Sequence, residues 1–267
     1  MLRFGFSITC SPLVIVCVLL GAAPVTAQDA DVATLQQQCE SNDLPSCITL
    51  GERYLSGEGV QENRAQAALA FRKACSGGHA PGCTSMGVMF VMRRDYPQAV
   101  AHHGKGCEGG DPRGCRNLGA LYQRGTGVPK DYEQARAYYT RACDGGDARG
   151  CAFLGEMHQF GTGVQKDNEA ALPLFRRACD GGDAIGCMKL GEFYQFGYAV
   201  AQDDTQAVTY YRMSCDAGYA QSCTTVGRMY YRGLGVEKDE QQALAYYRKA
   251  CEAGDSRGCE LVEHPSW

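Results

Sequence analysis

The sequence predicts an all-α fold in which helix–turn–helix units stack into an α/α solenoid, or superhelix. The first observation is a regular cysteine spacing: pairs of the form C-x7-C lie 36 residues apart, with one step of 32. The second is that glycine, aspartate and alanine recur at fixed positions between the pairs. The seven pairs are Cys39 with Cys47, Cys75 with Cys83, Cys107 with Cys115, Cys143 with Cys151, Cys179 with Cys187, Cys215 with Cys223, and Cys251 with Cys259.

Each unit is predicted to hold two helices, called here helix A and helix B. Helix A should run from about the second cysteine of a pair, such as Cys151, to a G-x-G turn such as Gly161 to Gly163. Glycine ends helices because it accepts the left-handed conformation without steric cost. An Asp or Asn follows, such as Asp167, and is expected to cap helix B by accepting backbone N–H groups.

A glycine also recurs inside helix A, four residues after the second cysteine, as at Gly155 and Gly191. Glycine costs about 1 kcal/mol of helix propensity relative to alanine. Its recurrence therefore predicts a place where helix B approaches the backbone of helix A closely. The alanine that recurs in helix B, such as Ala171, is the expected counterpart.

Two features depart from the regular repeat. In the unit that starts at Cys83, the residues Arg93, Arg94 and Asp95 replace the whole G-x-G turn. This shorter connection predicts a tighter turn and a local change in curvature. Pro173 falls inside a helix B, where it is expected to remove one hydrogen bond and to kink the helix.

The N-terminus predicts a signal peptide over residues 1–27. Arg3 is the only charge before Asp29, an apolar run reaches Leu20, and a small-residue cleavage site ends at Ala27. The alternative is a retained N-terminal anchor. Residues 28–267 are then predicted to form a single solenoid domain of about six units with half-unit caps. The expected localisation is secreted or periplasmic, without membrane insertion after cleavage, and the lumen of a eukaryotic secretory compartment is a further alternative.

The cysteine pairs predict disulfides. Fourteen cysteines remain after cleavage, an even number in a chain sent to an oxidising compartment. Cysteines eight positions apart in one helix would be about 12 Å apart, whereas a disulfide needs Cα atoms within about 7 Å, so a turn must separate them. Each of the seven C-x7-C bridges would contribute roughly 2.5 kcal/mol. Zinc is disfavoured because no C-x2-C occurs, and we predict neither metal nor cofactor.

The repeat resembles a known family. Residues 150–155 and 161–164, together with Asp167 and residues 177–179, are similar to Sel1-like repeats. The paired cysteines and the signal peptide resemble the secreted Helicobacter cysteine-rich proteins. The resemblance covers residues 28–259 and implies a superhelix that serves as an adaptor in protein complexes. It also implies penicillin binding and slow β-lactamase activity, which remains the alternative function.

Catalytic motifs give no support to an enzyme. The chain has no S-x-x-K, G-x-S-x-G or H-E-x-x-H motif, so we predict no catalytic residue. His102 and His103 form the one pair that looks catalytic. They occupy the repeat positions of Tyr138 and Tyr139, which predicts a packing role. If the protein is an enzyme, the expected class is a β-lactamase-type hydrolase.

The exposed face of the A helices is the predicted binding surface. Helix-pair solenoids usually bind partners on the concave surface that their A helices line. The amides and carboxylates of this face suit a peptide or protein ligand. The family resemblance adds a cell-wall peptide or a β-lactam as further candidates. The formal net charge of −4 argues against nucleic acid. The predicted binding residues are Glu52, Arg116, Gln123, Glu156, Gln159, Glu192, Gln195, Arg228 and Tyr231.

Overall fold

A computed structural model describes residues 27–263, so all but the last residue of the predicted signal peptide lies outside it. This part of the chain is all-α, as predicted, and contains fourteen helices and no strand. The helices are α1 (Ala27–Glu40), α2 (Leu44–Ser56), α3 (Arg64–Ser76), α4 (Ala80–Met92), α5 (Tyr96–Glu108), α6 (Pro112–Arg124), α7 (Tyr132–Asp144), α8 (Ala148–Phe160), α9 (Asn168–Asp180), α10 (Ala184–Phe196), α11 (Asp204–Asp216), α12 (Ala220–Arg232), α13 (Glu240–Glu252) and α14 (Ser256–Glu263).

The helices stack as a solenoid of six units. The even-numbered helices from α2 to α12 are the A helices, and each packs against the B helix that follows it. Helices α1 and α14 extend the array at its two ends. Most successive A helices also contact each other, as α6 does with α8 and α8 with α10. Successive B helices make no comparably extensive contact within residues 27–263.

The predicted caps of the B helices are confirmed. Asp131, for example, accepts a hydrogen bond from the backbone N–H of Gln134 at 3.0 Å. The predicted start of the A helices is wrong by three residues, because each begins before the second cysteine of its pair. In α8, Asp147 accepts from the backbone N–H of Gly150 and so starts the helix earlier. Helix α8 ends at Gly161, whose φ of 71° is left-handed, as expected.

The glycine inside each A helix makes room for a ring as well as for the predicted alanine, because the Ala135 carbonyl oxygen also lies 3.2 Å from a Cβ placed on Gly119. A Cβ placed on Gly155 would lie 2.7 Å from the Cε1 atom of Phe175. The equivalent glycine Gly119 faces the ring of Tyr139 in the same way, at 2.9 Å. The ring comes from the residue four positions after the recurrent alanine, one turn further along helix B. The close approach is therefore confirmed, and a buried aromatic side chain also lies there.

The seven predicted disulfides are all present, with Cα–Cα distances of 4.5–4.7 Å. Each joins the last turn of one B helix, or of α1, to the first turn of the next A helix or of α14. The chain reverses between the two cysteines over a few residues, such as 145–147 between α7 and α8. The bridges therefore hold the ends of neighbouring units together. They join Cys39 to Cys47, Cys75 to Cys83, Cys107 to Cys115, Cys143 to Cys151, Cys179 to Cys187, Cys215 to Cys223, and Cys251 to Cys259.

The basic residue before the first cysteine also links neighbouring units. The Arg177 guanidinium donates to the backbone carbonyl of Cys143, one unit earlier, at 2.9 Å. Arg141 donates to the carbonyl of Cys107 at 3.2 Å in the same way. These carbonyls lie at the C-terminal end of the preceding B helix, where the helix dipole favours a cation. In these two units the recurrent Arg is therefore a C-terminal cap supplied by the next unit.

The two departures from the repeat stay local. Helix α4 ends at Met92, and Arg94 takes a left-handed φ of 60° in a connection of three residues before α5. This confirms the tighter turn. Helix α9 keeps the 13 residues of its equivalents across Pro173, so the proline does not interrupt the helix. The hydrogen bond that a proline nitrogen cannot donate is lost at a single position.

Candidate functional site

The predicted binding residues differ widely in exposure. Glu52 and Arg228 are exposed at the ends of the described array, on α2 and α12. Tyr231 is half-buried, and its ring lies 5.2 Å from the Lys238 ammonium. These three residues remain candidates for direct contact with a ligand.

Arg116 joins two units. Its guanidinium lies 3.7 Å from the Asp147 carboxylate, which caps the next A helix. The same repeat position carries a hydrogen bond at the end of the array, where the Thr224 hydroxyl donates to Asp255. Arg116 is half-buried in this contact. Its position favours a role in aligning α6 and α8.

The three predicted glutamines occupy equivalent positions with different partners. The Tyr139 hydroxyl donates to Gln123 at 2.6 Å, and the Tyr211 hydroxyl donates to Gln195 at 2.8 Å. Gln159 has no such partner, because Phe175 takes the place of the tyrosine. Its side chain is only 7% exposed, which corrects the expectation that it lies open to a ligand.

A small network of charges holds the two central glutamates. The Lys189 ammonium donates to Glu192 at 2.9 Å and is itself buried. Burial raises the pKa of Glu156, and the nearby Asp183 and Glu192 carboxylates act in the same direction, while Lys189 opposes them. Lys189 therefore pairs with Glu192 and, together with Arg149, acts on Glu156, so the negative charge that this site offers a ligand is partly neutralised.

His102 and His103 pack as the tyrosine pair does, which confirms the sequence prediction. The His102 ring lies 4.8 Å from the ring of Phe90, as Tyr138 stacks on Tyr122. The His103 ring fills the space beside Gly87, and the residue is 1% exposed. Burial lowers its pKa to about 4, with His102 and Arg116 acting in the same direction. His103 is therefore neutral at physiological pH and closed to solvent.

Two adjoining openings on the helix-A side lie near the C-terminal end, between α10, α12 and α14. One cavity of about 510 Å³ and another of about 530 Å³ share lining residues, and together they are called here the C-terminal cleft. The contact between α10 and α12 is less extensive than that between most neighbouring A helices, and the cleft opens there. The shared lining residues are Glu192, Tyr211, Thr225, Arg228 and Arg257.

The cleft brings together some predicted residues and several that the sequence analysis missed. Glu192, Gln195 and Arg228 belong to the predicted set and line it. Arg232 and Arg257 also line it and were not predicted. The aligned repeats carry a signal for Arg232, because it stands where the previous two units have Phe160 and Phe196. The aligned repeats also carry a signal for Arg257, because earlier units have Arg113 and Arg149 at the same position.

Metal-ligating side chains do not cluster in the described part of the chain. No group of three or more His, Cys, Asp or Glu side chains within residues 27–263 is arranged to hold a metal ion. Over the described helices, none is both long enough and apolar enough to cross a bilayer.

Stacked helical hairpins with a disulfide at every junction define a cysteine-rich α-solenoid. The chain belongs to the Sel1 repeat family, whose repeat matches residues 45–79, 83–111, 112–147, 148–183, 184–219 and 220–255. This confirms the resemblance noted in the sequence. Disulfides of this number are typical of proteins that fold in an oxidising compartment outside the cytoplasm. Sel1 repeats are consistent with protein–protein interaction as the general role.

Solved structures share the architecture. A protective antigen of uropathogenic Escherichia coli with an SLR fold is 28% identical, with a TM-score of 0.71, over 86% of this chain and 50% of that chain. The chain thus spans half the length of that antigen. A Sel1 repeat protein from Oxalobacter formigenes is 24% identical, with a TM-score of 0.74, over 87% of this chain and 68% of that one.

A cysteine-rich relative is also found. Cysteine rich protein B of Helicobacter pylori is 30% identical to this chain, covering 49% of this chain and 95% of that one, with a TM-score of 0.41. No curated protein matches the chain.

Proposed function

We propose that the protein is a secreted or periplasmic scaffold that binds a peptide or protein partner through its helix-A face. The observation that carries the proposal is the C-terminal cleft, because its volume suits a bound chain segment and polar groups line it. The disulfides support the oxidising compartment, and the predicted signal peptide supports export. The scaffold role rests on the binding surface and needs no catalytic group.

The packing supports the helix-A side as the binding face. A helices contact one another more closely than B helices do, so the stack is tighter on the A side. Tighter packing on one side curves a solenoid toward that side and makes it the concave one. A concave surface lets several units contact one extended ligand at once.

The test is a selection of peptide ligands followed by mapping of their site. A displayed library of random peptides is selected on the oxidised protein, and the affinity of enriched peptides is measured by fluorescence anisotropy. Arg228→Glu on the helix-A face is expected to weaken binding at least about tenfold. The matched control is Arg212→Glu, which makes the same charge change at an exposed position on α11. Equal loss in both variants, or enrichment of no peptide, would contradict the proposal.

The alternative of β-lactam hydrolysis has its own direct test. Purified, oxidised protein is incubated with nitrocefin, and the rate is followed through successive purification steps. The scaffold proposal expects no turnover that copurifies with the protein. A rate that survives purification and falls in Arg228→Glu would favour the hydrolase.

A further inference from the structure

The C-terminal cleft concentrates positive charge in a chain whose formal net charge is −4. Arg228 and Arg232 project from α12 one turn apart, so their side chains lie on the same helix face. Arg257 joins them from the first turn of α14. All three are exposed and line the same cavity.

Among the described residues, no carboxylate pairs with these three guanidinium groups. Within residues 27–263, none of the ion pairs includes Arg228, Arg232 or Arg257. Like charges one helical turn apart repel each other, and a bound anion would relieve that repulsion. Guanidinium groups are also the side chains best suited to hold a carboxylate with two parallel hydrogen bonds.

The two acidic residues of the cleft are already engaged. Glu192 accepts from the Lys189 ammonium at 2.9 Å. Asp255 accepts from the Thr224 hydroxyl and, at 3.3 Å, from the backbone N–H of Arg257. Neither carboxylate forms an ion pair with the arginines, so the positive charge of the cleft faces solvent.

An apolar group lies beside the arginines. Phe196 ends α10 with 58% of its surface exposed, and it lines the same cavity as Arg228 and Arg232. Leu234 and Met229 line that cavity as well. An exposed aromatic ring next to unpaired arginines offers one surface for an apolar side chain and another for an anion.

We propose that the C-terminal cleft binds a peptide segment in which a carboxylate stands next to an apolar side chain. The proposal rests on the peptide-binding function proposed above and names the chemistry of the ligand. The carboxylate lies against Arg228, Arg232 and Arg257, and the apolar side chain packs on Phe196. The carboxylate belongs either to an Asp or Glu side chain or to the C-terminus of the partner chain.

The experiment compares peptide selection on two forms of the full oxidised protein. Random displayed peptides are selected on the wild type and on the triple variant Arg228→Gln, Arg232→Gln, Arg257→Gln. Enriched peptides are then resynthesised with Asp and Glu replaced by their amides, and separately with an amidated C-terminus. The control variant Arg212→Gln, Arg248→Gln removes exposed arginines from α11 and α13 instead.

The proposal expects peptides rich in acidic and apolar residues on the wild type. The triple variant should bind these peptides at least about tenfold more weakly than the wild type. The control variant should bind them with the same affinity as the wild type. The amidated version that loses affinity identifies the source of the carboxylate. Affinity should also fall as salt is added.

Other outcomes overturn the proposal. If the selected peptides are neutral or basic and bind the triple variant and the wild type equally, the cleft does not recognise a carboxylate. That result would leave the proposed peptide binding by the scaffold intact. Self-association of the protein that the triple substitution abolishes, without any peptide binding, would identify a second copy as the occupant. Enrichment of no peptide at all would contradict the proposed function itself.

Discussion

At the scale of single residues, most recurrent positions serve contacts between helices. Each A helix needs glycine at this position because an aromatic ring fills the space beside it. Where a glutamine lies next to the ring, the ring residue also determines whether the glutamine side chain receives a hydrogen bond. Tyr139 reaches Gln123 with its hydroxyl, whereas Phe175 leaves Gln159 without that donor. The presence of one tyrosine hydroxyl therefore decides whether the glutamine oxygen accepts a hydrogen bond.

Replacing the helical glycine should destabilise the protein despite the gain in helix propensity. In Gly155→Ala the new methyl group would lie 2.7 Å from the buried ring of Phe175. We expect a loss of about 1–3 kcal/mol in the free energy of unfolding. The control is Gly104→Ala in α5, where no atom outside the local helix backbone lies within 4 Å of the added Cβ. It should gain up to about 1 kcal/mol. Similar effects in both variants, measured by denaturant unfolding, would refute the steric explanation.

The buried His103 should make the protein less stable in acid. Its pKa is about 4 in the folded state and about 6.5 when unfolded, so it is neutral in both states above pH 6.5. As the pH falls from 6.5 to 4, the unfolded chain binds the proton first, and stability declines by up to about 3 kcal/mol. His103→Phe, which copies Phe71 and Phe175 of other units, should lack this part of the decline. An unchanged difference between unfolding at pH 7 and pH 4 would contradict the account.

At the scale of helices, the caps and the links between units explain the recurring polar residues. Asp131 and its equivalents start the B helices, and basic residues before the first cysteine, such as Arg141 and Arg177, cap the previous B helix. Met213 is the exception: it occupies this basic position in α11 and is 42% exposed. The link between α9 and α11 therefore lacks the cation that its equivalents carry.

Restoring that cation should stabilise the array. In Met213→Arg the guanidinium is placed to reach the carbonyl of Cys179, as Arg177 reaches Cys143. We expect a gain of about 0.5–1 kcal/mol in the free energy of unfolding. Met213→Gln is the matched control, since it removes the same apolar group without adding a charge. A gain of equal size in both variants would show that exposure of the methionine, and not the missing cap, is the cause.

At the scale of the whole molecule, periodicity made the architecture predictable and the ligand surface only partly so. The cysteine spacing predicts the disulfides and the hairpins, because each unit repeats the same local geometry. Gln159 shows the limit: the side chain is buried, and its burial depends on tertiary packing, which spacing within one unit does not reveal. The arginines of the C-terminal cleft likewise converge from α12 and α14, and their meeting depends on the contact between two units.

Hydrogen–deuterium exchange of the oxidised protein, with and without a selected peptide, tests the central claim that the helix-A face binds the partner. The account predicts that the peptide slows exchange in α10, α12 and α14, where the cleft lies. The B helices α11 and α13 should change little on their outer faces. Protection confined to the B helices, or spread evenly along the array, would contradict it.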